Sequence, residues 1–257
     1  MTAYEAWIAF STLLIKEIRR FTRIWVQTLL PPAITMSLYF IIFGNLVGSR
    51  VGSMGGYDYM QFIVPGLIMM AVIQNSYANV VSSFYSAKFQ RSIEELQVAP
   101  IGHLLILAGY VAGGVVRGLF VALIVTLLSL FFTRLHLMHV GIVVFTVLLT
   151  ALLFSLCGFI NAIYAKSFDD ISIIPTFVLT PLTYLGGVFY SIHMLAPLWQ
   201  RLALLNPILY MVEAFRYGVL GSSDVSVAIA LSLLIGLNIG LFFYAWTLLR
   251  RGTGLRE

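Results

Sequence analysis

The sequence is poor in charge. Only 10% of its 257 residues are Asp, Glu, Lys or Arg, against 60% hydrophobic residues and a mean hydropathy of +0.98. Soluble domains carry about 25% charged residues, so this chain lacks the polar surface to coat a water-facing body, and most of its exterior must face lipid. Cys157 is the single cysteine and sits in an apolar run, which excludes an internal disulfide framework and a cysteine-based metal site. The lysines are Lys16, Lys88 and Lys166, preceded by Ile15, Ala87 and Ala165. The phosphate-cradling loop of ATPases needs Gly-Lys before Ser or Thr, so the chain cannot hydrolyse ATP by that mechanism. None of the long apolar stretches holds Asp or Glu away from its ends, which disfavours coupling to protons or sodium through an intramembrane carboxylate. His136 and His139 have half-site spacing for a metal, but no Cys, Asp or Glu stands nearby to complete it. No metal site is expected, and no Gly-x-Ser-x-Gly nucleophile elbow occurs. The net charge of +5 is not gathered into one patch, so nucleic acid is not an expected partner.

What is present is length of apolar chain. A membrane-crossing helix needs about 20 apolar residues. Stretches at 24–48, 59–87, 140–165, 171–190 and 225–249 qualify outright, and 104–133 is interrupted only by Arg117. An all-α polytopic membrane protein with six spans is therefore expected, with both termini on one side. Lys16, Arg19, Arg20, Arg23, Lys88, Arg91, Lys166, Arg250, Arg251 and Arg256 fall on one face of that arrangement, and Arg50, Arg134, Arg201 and Arg216 on the other. The positive-inside rule then makes the first face, with both termini, cytoplasmic. The expected location is a cell membrane, of the bacterial inner-membrane type.

Residues 1–23 lack a basic start and a small-residue cleavage site, so they are not a signal peptide. Trp7, Phe10, Leu14, Ile18 and Phe21 form one helical stripe, while Lys16, Arg19, Arg20 and Arg23 form another. Such a helix lies in the membrane interface, as an anchor or as a surface that also receives a partner. In the loop 88–102, Phe89, Ile93 and Leu96 make an apolar stripe, Arg91 and Glu95 stand at i, i+4, and Pro100 with Gly102 closes a short helix. Periodicity alone favours an ordinary solvated connector. Between 191 and 223, Pro197, Asn206-Pro207 and Gly221 divide the chain into two helices too short to cross, expected to be re-entrant on the outer side. Glu213 and Arg216, at i, i+3, are placed to pair there.

Arg117 is the one charge deep in a span. Counted from Leu104 at 1.5 Å per residue it lies about 20 Å along its helix, nearer the outer edge. An unpaired guanidinium there costs at least ~2.5 kcal/mol, so Glu213 is expected to reach in and pair with it, pinning an outer gate with Arg216. Gly109, Gly113, Gly114 and Gly118, and likewise Ser232, Gly236 and Gly240, are spaced for close helix packing.

The order of these elements resembles the permease subunit of type 2 ABC exporters, in the drug and polysaccharide export branch. The likeness covers nearly the whole chain. It is sharpest in the loop Phe89-Gln90-Arg91-Ser92-Ile93-Glu94-Glu95-Leu96-Gln97-Val98-Ala99-Pro100, in Asn206-Pro207-Ile208-Leu209-Tyr210 running on to Phe215-Arg216-Tyr217-Gly218, and in Phe168-Asp169-Asp170 with Pro175 and Pro181. The resemblance implies that the helix around Arg91 is a coupling helix seated on a separate ATP-binding subunit. Lys88, Arg91, Glu94, Glu95 and Leu96, with Lys16, Arg19 and Arg20, would form the coupling surface. Arg91, Glu94 and Glu95 are taken to meet the partner and Phe89, Ile93 and Leu96 the bundle, though the opposite allocation is open on sequence grounds. It further implies a homodimer with two ATPase subunits, which would hold ATP and Mg, while this chain binds no cofactor of its own. Tyr39, Phe43, Tyr77, Phe177, Tyr184 and Phe189 would line the pathway, unless they serve as packing or interfacial anchors. The competing readings are an ion-coupled secondary carrier and a non-transporting membrane sensor or assembly factor. Nothing in the sequence names the cargo.

Overall fold

A computed structural model describes residues 2–135 and 137–254. His136, and with it the half metal site, lies outside the described residues, as does Arg256. The chain is all-α apart from one two-residue hairpin. It begins with α1 (Ala3–Arg23), opened by a reciprocal cap in which Thr2 Oγ1 accepts from the Glu5 N–H and the Glu5 carboxylate accepts from the Thr2 N–H. Next comes α2 (Trp25–Val51), long and apolar enough to cross a membrane but not straight. A first turn, Trp25–Thr28, gives way to Leu30–Ile41, where Pro31 and Pro32 lack the N–H groups that would continue the ladder, and a wide turn follows at Ile42–Val47. The hairpin β1 (Ser53–Met54) and β2 (Tyr57–Asp58) is antiparallel, pairing Ser53 with Asp58 and Met54 with Tyr57. Its Gly55 and Gly56 both have positive φ, as a two-residue hairpin turn of this hand requires.

The axis of the bundle is α3 (Tyr59–Phe89), capped by Asp58. Of its most apolar stretch, 89% is buried by protein, against 12% for α2 and 17% for the last helix. The short α4 (Ser92–Val98) follows, then α5 (His103–Ser129) and α6 (Val140–Tyr164), both packed along α3. After α6 come three abutting pieces, Asp170–Ile174, Pro175–Leu179 and Thr180–Tyr184, together α7. Then follow α8 (Pro197–Leu204), α9 (Pro207–Leu220) and α10 (Val227–Arg251). The chain packs α9 and α10 against α6, and α9 also against α3.

Among the described residues five helices, α2, α3, α5, α6 and α10, are long and apolar enough to cross a membrane. The stretch 171–190, expected as a continuous span, is instead interrupted. Pro175 and Pro181 each remove an N–H from the ladder, the middle piece is wound wide, and the helix ends at Tyr184. Beyond it residues 185–190 cross α3 so closely that a Cβ on Gly66 would lie 2.6 Å from the Val188 carbonyl oxygen. Both α8 and α9 are too short to span, with 8 and 14 residues. At the head of α7 the Asp170 carboxylate accepts the N–H groups of Lys166 and Ser167 at 2.8 and 3.0 Å, which holds its carboxyl below the usual range.

The fully buried stripe of α1 is Leu13, Glu17 and Phe21; of the stripe read from the sequence, Phe21 is buried, Phe10, Leu14 and Ile18 are half-buried, and Trp7 remains 65% exposed. Leu13 sits over Gly109 and Glu17 over Gly113, and the Phe21 and Phe120 rings meet at 6.1 Å. Thus α1 runs beside α5 in the same direction.

In the core α3 and α6 approach closely, and a Cβ on Gly158 would stand 2.6 Å from the Tyr77 carbonyl oxygen. Overpacking costs about 1–3 kcal/mol, so Gly158→Val should lower the thermal midpoint of the detergent-purified protein, whereas Gly236→Ala, with open space around it, should leave it unchanged. Equal midpoints for both variants would contradict this packing.

Candidate functional site

The residues singled out from the sequence gather at the two ends of the bundle. At the basic end, α4 follows α3 and packs against it. Its Ile93 is buried and Leu96 half-buried against the core, while Arg91, Glu94 and Glu95 are exposed. Arg91 adopts φ 58, a left-handed conformation uncommon outside glycine, and turns the chain sharply from α3 into α4. Phe89 is 65% exposed and packs edge-on to Phe168, which also meets Tyr85, so it belongs to a surface aromatic cluster rather than to the buried face. The Lys88 ammonium turns away from that surface, donating to the carbonyl oxygens of Ile163 and Ala165 at 2.8 Å each, where it caps the end of α6. Lys88, Phe89, Arg91 and Glu94 line an open cleft of about 270 Å³ together with Lys166 and Gly254.

The basic stripe of α1 divides. Lys16 and Arg19 are exposed, with Lys16 Nζ 3.5 Å from the Tyr110 hydroxyl. Arg20 turns inward, donating to the Asn79 carbonyl oxygen and side chain at 2.8 and 2.9 Å, and its Nε stands 3.4 Å from Glu17. Glu17 itself is 1% exposed and accepts from Ser83 Oγ at 2.6 Å. This carboxylate is buried between α1, α3 and α5, a contact outside the set expected from the sequence. Its signal was in the sequence: Leu13, Glu17 and Phe21 repeat every four residues, matching Gly109 and Gly113 on α5, whose lack of side chains makes room for it.

Arg117 is not at an outer gate and does not meet Glu213. Its Nη2 donates to the Thr28 carbonyl oxygen at 3.2 Å and to Asn75 Oδ1 at 3.0 Å. Counting from Leu104 assumes that the apolar layer begins there. In fact α1 flanks the first turns of α5, and the first apolar helix starts only at Trp25, so Arg117 is level with the beginning of α2. Glu213 lies at the opposite end and is bound to Arg216. Arg216 is 1% exposed, stacks over Phe62 at 3.9 Å, and donates to the carbonyl oxygens of Gly187 at 2.7 Å and Phe62 at 3.3 Å. The second Glu213 oxygen accepts from the Asp224 N–H and Ser223 Oγ at 2.7 and 3.1 Å, and Asp224 accepts from Ser191 Oγ and the Ile192 N–H. One buried ion pair thus ties α9 to α3, to the turn at 185–190 and to the loop before α10.

Of the aromatic side chains expected to line a pathway, four come together. Tyr39, Phe43, Tyr184 and Phe189 form a continuous cluster, with Phe43 and Phe189 centroids 4.8 Å apart and the two tyrosine hydroxyls 3.3 Å apart. Tyr77 is not on that surface: it is 1% exposed inside the bundle and accepts a hydrogen bond from Asn161 at 2.6 Å. Phe177 stands apart on the wide turn of α7, 73% exposed.

Removing one partner of a buried ion pair costs about 3–5 kcal/mol, because the other charge is left uncompensated. Arg216→Met should therefore lower the thermal midpoint sharply, and the double variant Glu213→Gln/Arg216→Met should recover much of the loss. If both are equally damaged, the pair is not what holds this end.

The family described as ABC-2 type transporter matches residues 8–220. Along 251 residues the chain is 60% identical to "Inner membrane transport permease YadH" of Escherichia coli strain K12, covering 98% of each protein. More distant relatives are "Nodulation protein J" of Neorhizobium galegae, 22% identical over 215 residues (83% of this chain and 82% of that one), and its namesake in Sinorhizobium fredii, 24% identical over 216 residues (84% and 82%). With one model matching most of its length and a relative this similar end to end, the chain belongs to the ABC-2 type transporter family, as a membrane permease.

Proposed function

We propose that the chain is the membrane-spanning half of an ATP-driven exporter of the inner membrane, with both termini cytoplasmic, coupled through α4 to a separate ATP-binding subunit. The observation that carries this reading is the arrangement of α4: a short helix pinned by Ile93 and Leu96, with Glu94 and Glu95 presented outward beside Arg91 at the basic end of the bundle. Such a helix is a lever. Force applied to its charged face passes to α3 through the tight turn at Arg91 and to α6 through Lys88. Lacking a phosphate loop, the chain needs that force from a partner holding ATP and Mg. Arg19 and Lys16 extend the same surface from α1, while Arg20 positions α1 on the bundle.

The same architecture supports the reading of export through a pair of permeases. A single bundle centred on the buried α3 encloses no wide polar conduit, so a pathway between two copies is favoured, with rigid-body rocking of one against the other. The Tyr39–Phe43–Tyr184–Phe189 cluster, lying on α2 and at the end of α7, offers aromatic faces to cargo in that seam. Membrane lipid bounds the remaining surface. A proton-coupled carrier is the weaker reading, because the buried carboxylates among the described residues, Glu17 and Glu213, are engaged with Arg20 and Arg216 and join helices together rather than standing free along a pathway.

The test is a charge reversal at Glu94 and Glu95 in the permease reconstituted with its ATP-binding subunit. Stimulation of ATP hydrolysis by the permease should fall at least about tenfold, a loss of 1.4 kcal/mol of coupling, with the thermal midpoint of the permease unchanged. Undiminished stimulation, or cargo movement in vesicles without ATP, sinks the proposal.

A further inference from the structure

Three arginines lie deep among the helices, and they are treated differently. Arg216 is bound to Glu213, and Arg20 stands 3.4 Å from Glu17. Arg117 has no carboxylate within 4 Å among the described residues. Its Nη2 is met by two neutral oxygens, of Thr28 and Asn75, while its Nε is buried without a hydrogen-bond partner. Charged side chains at membrane depth are costly, and where they persist they mark functional sites.

Arg117 also borders space. A cavity of about 280 Å³ opens beside it, between α2 and α3. Gln27, Gln74 and Asn75 supply polar wall, and Pro31, Pro32 and Met36 supply apolar wall. Farther along the same helix that lines the cavity, Ile34, Leu38 and Ile41 are about half exposed and form a greasy track on α2. The site is therefore two-faced: a guanidinium with amide donors at the level where α2 begins, and an apolar surface running from there along the helix. A guanidinium recognises phosphate or carboxylate through paired N–H donors. A soluble anion entering here would give up hydration without using the track, whereas an amphiphile uses both.

We infer that the cavity beside Arg117 binds the anionic headgroup, phosphate or carboxylate, of an amphiphile whose acyl chain lies along α2. The headgroup supplies the counter-charge that Arg117 lacks within the chain, and Gln27 and Gln74 donate to its remaining oxygens. Binding requires no nucleotide and no partner subunit, so the inference stands or falls separately from the transport reading.

The full chain, stripped of lipid in a neutral detergent, is offered equal amounts of phosphatidylglycerol and phosphatidylcholine with identical acyl chains, and the retained lipid is counted by native mass spectrometry. Phosphatidylglycerol should be retained at least about tenfold over phosphatidylcholine, or 1.4 kcal/mol. Arg117→Gln should bring the ratio close to one. Ala78→Phe, which fills the cavity while leaving the charge in place, should reduce retention of phosphatidylglycerol, and Arg251→Gln, at an exposed arginine on α10, should keep the wild-type ratio. Inorganic phosphate in excess should fail to displace the lipid. No preference in the wild-type protein overturns the inference even if a variant cannot be purified. A preference that survives both Arg117→Gln and Ala78→Phe, or is lost in Arg251→Gln, assigns the lipid to another surface and overturns it. Complete displacement by inorganic phosphate overturns it as well, since the site would then take a free anion.

Discussion

A chain immersed in lipid must satisfy its own backbone polar groups, since nothing in the hydrocarbon layer will do it for them. Helix is the simple solution, and α3, α5, α6 and α10 adopt it. Every departure from helix therefore needs a protein partner. The largest departure is the stretch that follows α7, where the ladder stops at Tyr184 and the chain crosses α3. Free carbonyl oxygens in the last turn of α7 and in the stretch beyond it are taken up by side chains from elsewhere: Asn206 donates to Leu182, Arg216 to Gly187 and Tyr59 to Phe189. The buried Glu213–Arg216 pair is the centre of that repair, and the break in α7 persists because α9 is there to cover it.

The same constraint shapes the basic end by other means. The last carbonyl oxygens of α6 are capped by Lys88 from α3, and Arg20 takes the Asn79 carbonyl oxygen within α3. These contacts make α1, α3 and α6 a connected unit on which α4 rides. A rigid body of this kind transmits a push, where a set of loosely packed helices would absorb it. The two ends thus differ in character. One is closed by a buried ion pair, and the other presents exposed charge around a helix anchored by two apolar side chains.

Much of this was legible in the sequence. Long apolar runs set the spanning helices, proline and glycine set the breaks between 191 and 223, and Glu213 with Arg216 at i, i+3 formed a pair as that spacing allows. The stripe Ile93 and Leu96 against Glu94 and Glu95 likewise gave the two faces of α4. These features are local, each decided within one or two helical turns, where periodicity and capping chemistry act directly.

What tertiary structure alone decided is where distant pieces meet. Arg117 found Thr28 and Asn75 rather than Glu213 because α1 runs beside α5 and delivers the start of α2 to its middle, a consequence of packing on Gly109 and Gly113 that no count along α5 reveals. Tyr77 was drawn into the core and Lys88 onto α6 for the same reason. The sequence by itself determined the material: a helical membrane body, with charges few enough to name one by one. Only the fold determined which of those charges meet a counter-charge, because that depends on long-range packing geometry, and side-chain spacing carries no record of it.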